Sequence, residues 1–374
     1  MLVVVWFMGC SGSSDVEPEP VPVGVAVLGA ERGLDGVVLE TMATSADGLD
    51  IPRDLAFNPE RPNELWVVNR ADDSVTLVYD AGTSKQSTEH LIDPYALHFM
   101  EEVSAIAFGA PGTFATAQES RNTYNNAYPP NNFMGPALWS SDLDVFAKSN
   151  REAVEFLTEQ YGFYTDLGSH LDMLHEDPLT VGIAWESGNA YWVFDGYNET
   201  IARNDFMEDH GPGFDDHSDG EIEKYLVGVV SYVEGVPSHL EIDPETAMLY
   251  IADTGNNRVI RLDTTSGERG QKLRSTEGYP VHVEMTGEVM NVLVEGGDFG
   301  LAAPSGLALH DGMVFVGDNT LGTIVAFDLA GNELDRLETG LPAGALMGLA
   351  FDAAGNLWVT DAVDNTVIRI SPKP

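Results

Sequence analysis

Basic residues are scarce in this chain. Eighteen Lys and Arg stand against 60 Asp and Glu, a formal net charge of −42 over 374 residues. So acidic a surface repels polyphosphates and anionic lipid, which argues against nucleic acid and anionic membrane surfaces as partners. Cysteine is scarcer still: Cys10 stands alone, so no internal disulfide forms. No G-x-S-x-G segment and no phosphate-binding glycine loop occurs, and the serine-hydrolase and nucleotide chemistries built on them lose their support. The apolar start, Met1–Met8, is too short to span a bilayer.

What is present is repetition. The phrase VPSHLEIDPETAMLYIADTGNNRVIRLD (Val236–Asp263) reads as three short strands separated by Asp-Pro and Thr-Gly-Asn-Asn turns. Its first strand recurs as DLAF (Asp54–Phe57), AIAF (Ala105–Phe108), GIAW (Gly182–Trp185), GLAL (Gly306–Leu309) and GLAF (Gly348–Phe351). Second strands such as LWVVN, YWVFD, LYIAD, VFVGD and LWVTD mostly end in Asp or Asn, and third strands follow in five of the six copies. Units of three or four strands that cannot bury their apolar faces alone pack radially, so the expected fold is all-β, a six-bladed β-propeller spanning residues 36–374. The chain stops just after a third strand. The apolar stretch GVVLETMA (Gly36–Ala43) is therefore expected to close the ring as the outer strand of the last blade. One short helix, SNREAVEFLTEQYG (Ser149–Gly162), is expected as an insertion in blade two, and HVEM with NVLVEGGD as a hairpin after blade four.

The phrases YIADTGNNRVIRLD and LWVTDAVDNTVIRI resemble NHL repeats, whose propellers are commonly six-bladed. The N-terminus resembles a bacterial lipoprotein signal. Residues 1–10 would be the signal segment ending at the lipidated Cys10, and 11–35 a Ser/Pro/Glu-rich tether. That resemblance implies export and a place in the bacterial envelope, periplasmic or at the cell surface, with the membrane reached only through the Cys10 anchor. A closed disc has no free sheet edge to drive assembly, so a monomer is expected.

Residues that carry chemistry converge in a propeller because the first strands line the axis. At the position before the apolar residue of strand one, four blades have Gly or Ala, and two have Asp54 and His239. His98 and His175 each precede the matched Ile106 and Ile183 by eight residues, which sets them at corresponding points on one face. With His239 they form a candidate three-histidine metal site, zinc by preference. The loop MEDHGPGFDDHSDGE (Met207–Glu221) holds Asp209, His210, Asp215, Asp216, His217 and Asp219, oxygen donors suited to calcium.

Peptidyl-hydroxyglycine amidating lyases are six-bladed NHL-like propellers with a three-histidine zinc. The segment VVNRADD (Val67–Asp73) is similar to the one carrying their arginine, and DGYNETI (Asp195–Ile201) to the one carrying their tyrosine. The resemblance implies Arg70 as the residue orienting substrate and Tyr197 as a base. His239, in VPSHL, falls within one residue of a lyase zinc histidine; where the lyases carry their other two, this chain has SAIAF and MGLAF. The leading expectation is accordingly an exported propeller that binds a metal and a small molecule, peptide or protein at its axial face. The alternative is a metal-dependent lyase or hydrolase.

Overall fold

A computed structural model describes residues 24–122 and 131–374. The expected signal, most of the tether and the centre of the blade-two insertion lie outside the described residues. Six sheets stand in a ring, each led by an inner strand: Pro52–Phe57, Val103–Phe108, Thr180–Ser187, Leu240–Asp243, Pro304–His310 and Leu346–Phe351. The protein is a six-bladed β-propeller. Apolar faces meet between blades: Trp66 of blade one sets its ring 4.9 Å from Phe114 of blade two, and Trp358 of blade six packs edge-on against Phe57 of blade one. Near the axis the inner strands bond directly to their neighbours, as where Ser238 N donates to Val181 O and His239 N to Ser305 O.

Ring closure follows the expectation. Val37–Ala43 pairs antiparallel with Thr366–Pro372, Leu39 opposite Ile370, so the first and last strands of the disc share one sheet. Residues 24–35, expected within the tether, pack on the disc instead. Val27 and Leu28 are buried against blades five and six, and the Asp335 carboxylate accepts from Val25 N at 2.7 Å and Glu31 N at 3.2 Å.

The helix forms as Arg151–Tyr161, with the Asn150 side chain accepting from Glu152 N at 3.0 Å. It buries Ala153 and Leu157, while the more exposed Phe156 and Tyr161 meet the blade-three loop, Phe156 beside Phe214 and Tyr161 Oη donating to Asp215 at 2.6 Å. The expected hairpin after blade four does not form. Met290–Glu295 is the fourth strand of blade four, whereas Val281–Thr286 pairs parallel with Glu221–Tyr225 of blade three. The chain between third and fourth strands of blade four leaves its own sheet and widens its neighbour to six strands. Both stretches are short and apolar, and pattern alone does not say which edge a strand joins.

The recurrent Asp at the end of the second strand has a local cause. Its carboxylate accepts the backbone N–H groups of the turn that follows: Tyr197 and Asn198 on Asp195, Thr320 and Leu321 on Asp318, Val363 and Asp364 on Asp361, at 2.9–3.1 Å. Four residues beyond that Asp or Asn the backbone is left-handed in five blades, at Asp73, Glu199, Asn257, Gly322 and Asn365. Gly, Asn and Asp tolerate this conformation; Glu199 (φ 51°) is the exception. Glu199→Asn should therefore raise the unfolding free energy by about 0.5–1 kcal/mol. Urea unfolding checks it, and an unchanged or lowered midpoint would count against the strain at this turn.

Candidate functional site

Crowding at the axis decides where side chains can stand. A Cβ at Gly182 would lie 2.0 Å from Ser238 O, one at Gly306 2.2 Å from Met347 O, and one at Gly348 2.7 Å from Asp54 Oδ1. Asp54 and His239, on opposite blades, occupy the space those small residues leave, with Asp54 Oδ1 3.7 Å from His239 Nδ1. Burial raises the Asp54 carboxyl against the pull of His239, and burial lowers His239 against the pull of Asp54. Two mouths open along the axis from this level. The upper, about 450 Å³, is lined by Arg53, Arg70, Glu234, Asn319 and Met347. The lower, about 600 Å³, takes in Asp54, His239, Glu241 and the later residues of all six inner strands.

The upper mouth is organised by Glu119, which follows the second strand of blade two and is 2% exposed. Its carboxylate binds the buried Arg53 guanidinium, accepts from Arg70 Nε at 3.2 Å, and takes Tyr232 Oη at 2.7 Å and Gly235 N at 2.6 Å. Arg70 also reaches Glu102 at 2.7 Å. Tyr197 takes a different partner: its ring lies under the guanidinium of Arg121, with Cζ 4.6 Å from the centroid. Arg53 and Glu119 carry no spacing signature, and the sequence reading missed both.

The structure brings two of the three expected histidines together. The rings of His98 and His175 stand 5.8 Å apart, but His239 stays with Asp54, because it immediately precedes the innermost strand of its blade and faces the axis. His217 takes the third place, 5.5 Å from His175, and His170 follows at 5.6 Å from His217. The loop between the third and fourth strands of blade three lies along the outer strand of blade two, Gly213 N donating to His170 O at 2.8 Å. The expected histidine site and the expected acidic-loop site thus adjoin in the seam between blades two and three.

The hydrogen bonds there assign tautomers. His170 Nδ1 donates to Leu167 O at 2.9 Å and His175 Nδ1 to Glu277 Oε2 at 3.0 Å, leaving the buried Nε2 of each without a hydrogen-bond partner. Glu277 arrives from the blade-four excursion, together with Tyr279, whose hydroxyl accepts from His175 N at 2.9 Å. Burial lowers both histidines, in His175 against Glu277. Burial also lowers His98, to about 3, with the charges of His175 and His217 adding to it. His217 is different. Burial opposes its charge, but Asp172 Oδ1 at 2.7 Å and Asp215 outweigh burial and push it up to about 10. Burial lifts Asp172 only to about 6, so at neutral pH the pair is ionised. Asp172 Oδ2 remains buried and without a hydrogen-bond partner. Among the described residues, Asp172, His210 and Asp219 are the set whose ligand atoms lie within 4.8 Å of one another. Asp172 and Glu277 were not foreseen; nothing in HLDM or STEGY marks them.

No known family profile matches this sequence, and no curated relative does. Solved structures do match. An auxiliary nutrient binding protein from Bacteroides ovatus superposes with a TM-score of 0.54 at 12% identity, over 91% of this chain and 77% of that one. A luciferin-regenerating enzyme gives 0.55 at 14% identity, covering 90% and 95%. A calcium-binding protein, regucalcin, from Agrobacterium tumefaciens gives 0.53 at 15%, covering 90% and 94%. The likeness is one of fold.

The axial ion pair is open to direct test. Glu119→Gln leaves Arg53 buried beside a neutral amide, and the unfolding free energy should fall by about 3–5 kcal/mol. The double variant Arg53→Met with Glu119→Gln should lose clearly less than the sum of the two single losses. Denaturant unfolding of the three variants gives the comparison; a loss under about 1 kcal/mol for Glu119→Gln would remove the pair from the list of structural determinants.

Proposed function

We propose that this chain is an exported propeller, tethered through Cys10, that holds a divalent metal ion in the seam between blades two and three and takes a small molecule at its axial face. One observation carries the metal reading: Asp172, His210 and Asp219 offer ligand atoms within 4.8 Å of one another, and the buried Asp172 Oδ2 has no hydrogen-bond partner. A buried carboxylate oxygen left unpaired is costly, and a cation removes that cost. Two carboxylates with an imidazole suit a transition-metal dication, zinc by preference; calcium favours oxygen alone. His217, ionised against Asp172, would orient that carboxylate from behind.

The ligand reading rests on the upper mouth, where buried Arg53 and half-buried Arg70 gather around Glu119 in a strongly acidic protein. The same scaffold serves proteins described as nutrient-binding and calcium-binding, and a fold alone selects none of these. The non-catalytic reading has better support than the lyase. Arg70 is already engaged by Glu102 and Glu119, Tyr197 lies under Arg121, and the three histidines named with them are divided between the seam and the axis.

Elemental analysis of the purified protein should find about one zinc-class ion per chain, lost in Asp172→Asn and in His210→Ala and retained in His239→Ala. Full retention in both seam variants, or loss in His239→Ala, would overturn the assignment. For the anchor, the full chain expressed in a bacterial host should partition with membranes and carry lipid at Cys10, while Cys10→Ser should leave it soluble or uncleaved. Membrane association unchanged in Cys10→Ser would reject the tether.

A further inference from the structure

The lower mouth is a funnel with a chemistry of its own. Its wall comes from inner-strand residues such as Leu55, Ile106, Ile183, Leu307 and Leu349, and its rim includes Phe57, Phe108, Trp185 and Phe351. Neither lysine nor arginine lines it; the ionisable residues are Asp54, Glu186, Glu241 and Asp352 with His239 and His310. Two of those carboxylates are already spent. Glu186 accepts from Arg203 Nε at 2.6 Å, and Asp352 from Trp358 Nε1 at 2.9 Å and Asn356 Nδ2 at 2.8 Å. Asp54, which accepts backbone N–H groups but meets no Lys or Arg among the described residues, and Glu241 remain, beside His239, which is 4% exposed and whose Nε2 has no hydrogen-bond partner. Burial, with the nearby Asp54 adding to it, pushes the Glu241 carboxyl up to about 8, so at neutral pH it is mostly protonated and a cation docking there displaces that proton.

We propose that this funnel binds an amphipathic organic cation, an ammonium group carried on an apolar body. The ammonium would sit at Asp54 and Glu241, the body against the aliphatic wall, and the aromatic rim would add cation–π and apolar contact where the ligand enters. A bare metal ion is served less well. Asp54, His239 and Glu241 do not bring three ligand atoms within 4.8 Å of one another. Asp54 already accepts backbone N–H groups on both oxygens, from Leu55 at 2.8 Å and Ile106 at 3.0 Å. A cavity of about 600 Å³ with apolar walls also exceeds what an ion needs. An anion would meet only acidic and neutral groups. The inference is independent of the seam, on whose metal it does not rely.

The test uses the full chain and calorimetric titration at neutral pH with 2-phenylethylammonium, against the neutral 2-phenylethanol and the anionic 3-phenylpropionate. The ammonium should bind about tenfold or more tightly than the alcohol, and the carboxylate should not bind. Glu241→Gln should weaken the ammonium about tenfold without affecting the alcohol, while Asp298→Asn, an exposed loop variant, should match the parent. Thermal melts establish that each variant is folded; should Glu241→Gln fail to fold, Asp54→Asn puts the same question. Equal affinity for ammonium and alcohol, no binding of the ammonium, or its unchanged affinity in both carboxylate variants would overturn the proposal. So would displacement of the ammonium by stoichiometric zinc or calcium, which would make the funnel an inorganic cation site.

Discussion

Six inner strands bonded side by side around one axis leave almost no volume at the centre. That steric constraint governs this molecule. It demands Gly or Ala at the level where the strands come closest, and the close approaches at Gly182, Gly306 and Gly348 show how little room remains. It also makes any larger side chain there consequential. Asp54 and His239 face each other because their neighbours are small, and together they stand where the upper mouth gives way to the lower. Burial then acts on their charges, raising the acid and lowering the base.

A second constraint is charge. A chain with 60 acidic residues places few cations inside, and those it does bury are paired. Arg53 meets Glu119 at the upper mouth, and Lys224 meets Asp177 and Asp195 in blade three. Such pairs contribute little net stability against apolar replacements, yet losing one partner strands the other. The histidine seam follows the same logic with a different outcome. His217 is charged by two carboxylates, while its neighbours His98, His170 and His175 are held neutral by burial. The charged His217 in turn holds the Asp172 carboxylate ionised beside His210 and Asp219.

The regular blades were legible residue by residue. The Asp that ends the second strand and the left-handed residue four places on are local devices, set by hydrogen bonds within one turn. Period and turn chemistry therefore revealed blades one, four, five and six, the helix within Ser149–Gly162 and the closing strand at Val37–Ala43. The candidate site was legible only in pieces. His98 and His175 showed through their equal offsets, and the acidic loop through its composition. Their meeting did not show, since it depends on the loop after Asp205 lying over the neighbouring blade.

The sequence by itself determined the blade count, the order of strands within most blades and the small residues at the axis, because each rests on contacts a few residues apart or on a repeated pattern. Only the tertiary structure decided that His217 joins His98 and His175 where His239 had been expected. The same holds for the delivery of Glu277 to His175 by a strand that deserts blade four for blade three. These outcomes depend on which edges and loops of different blades lie together in space. A sequence read along one dimension carries no term for that adjacency.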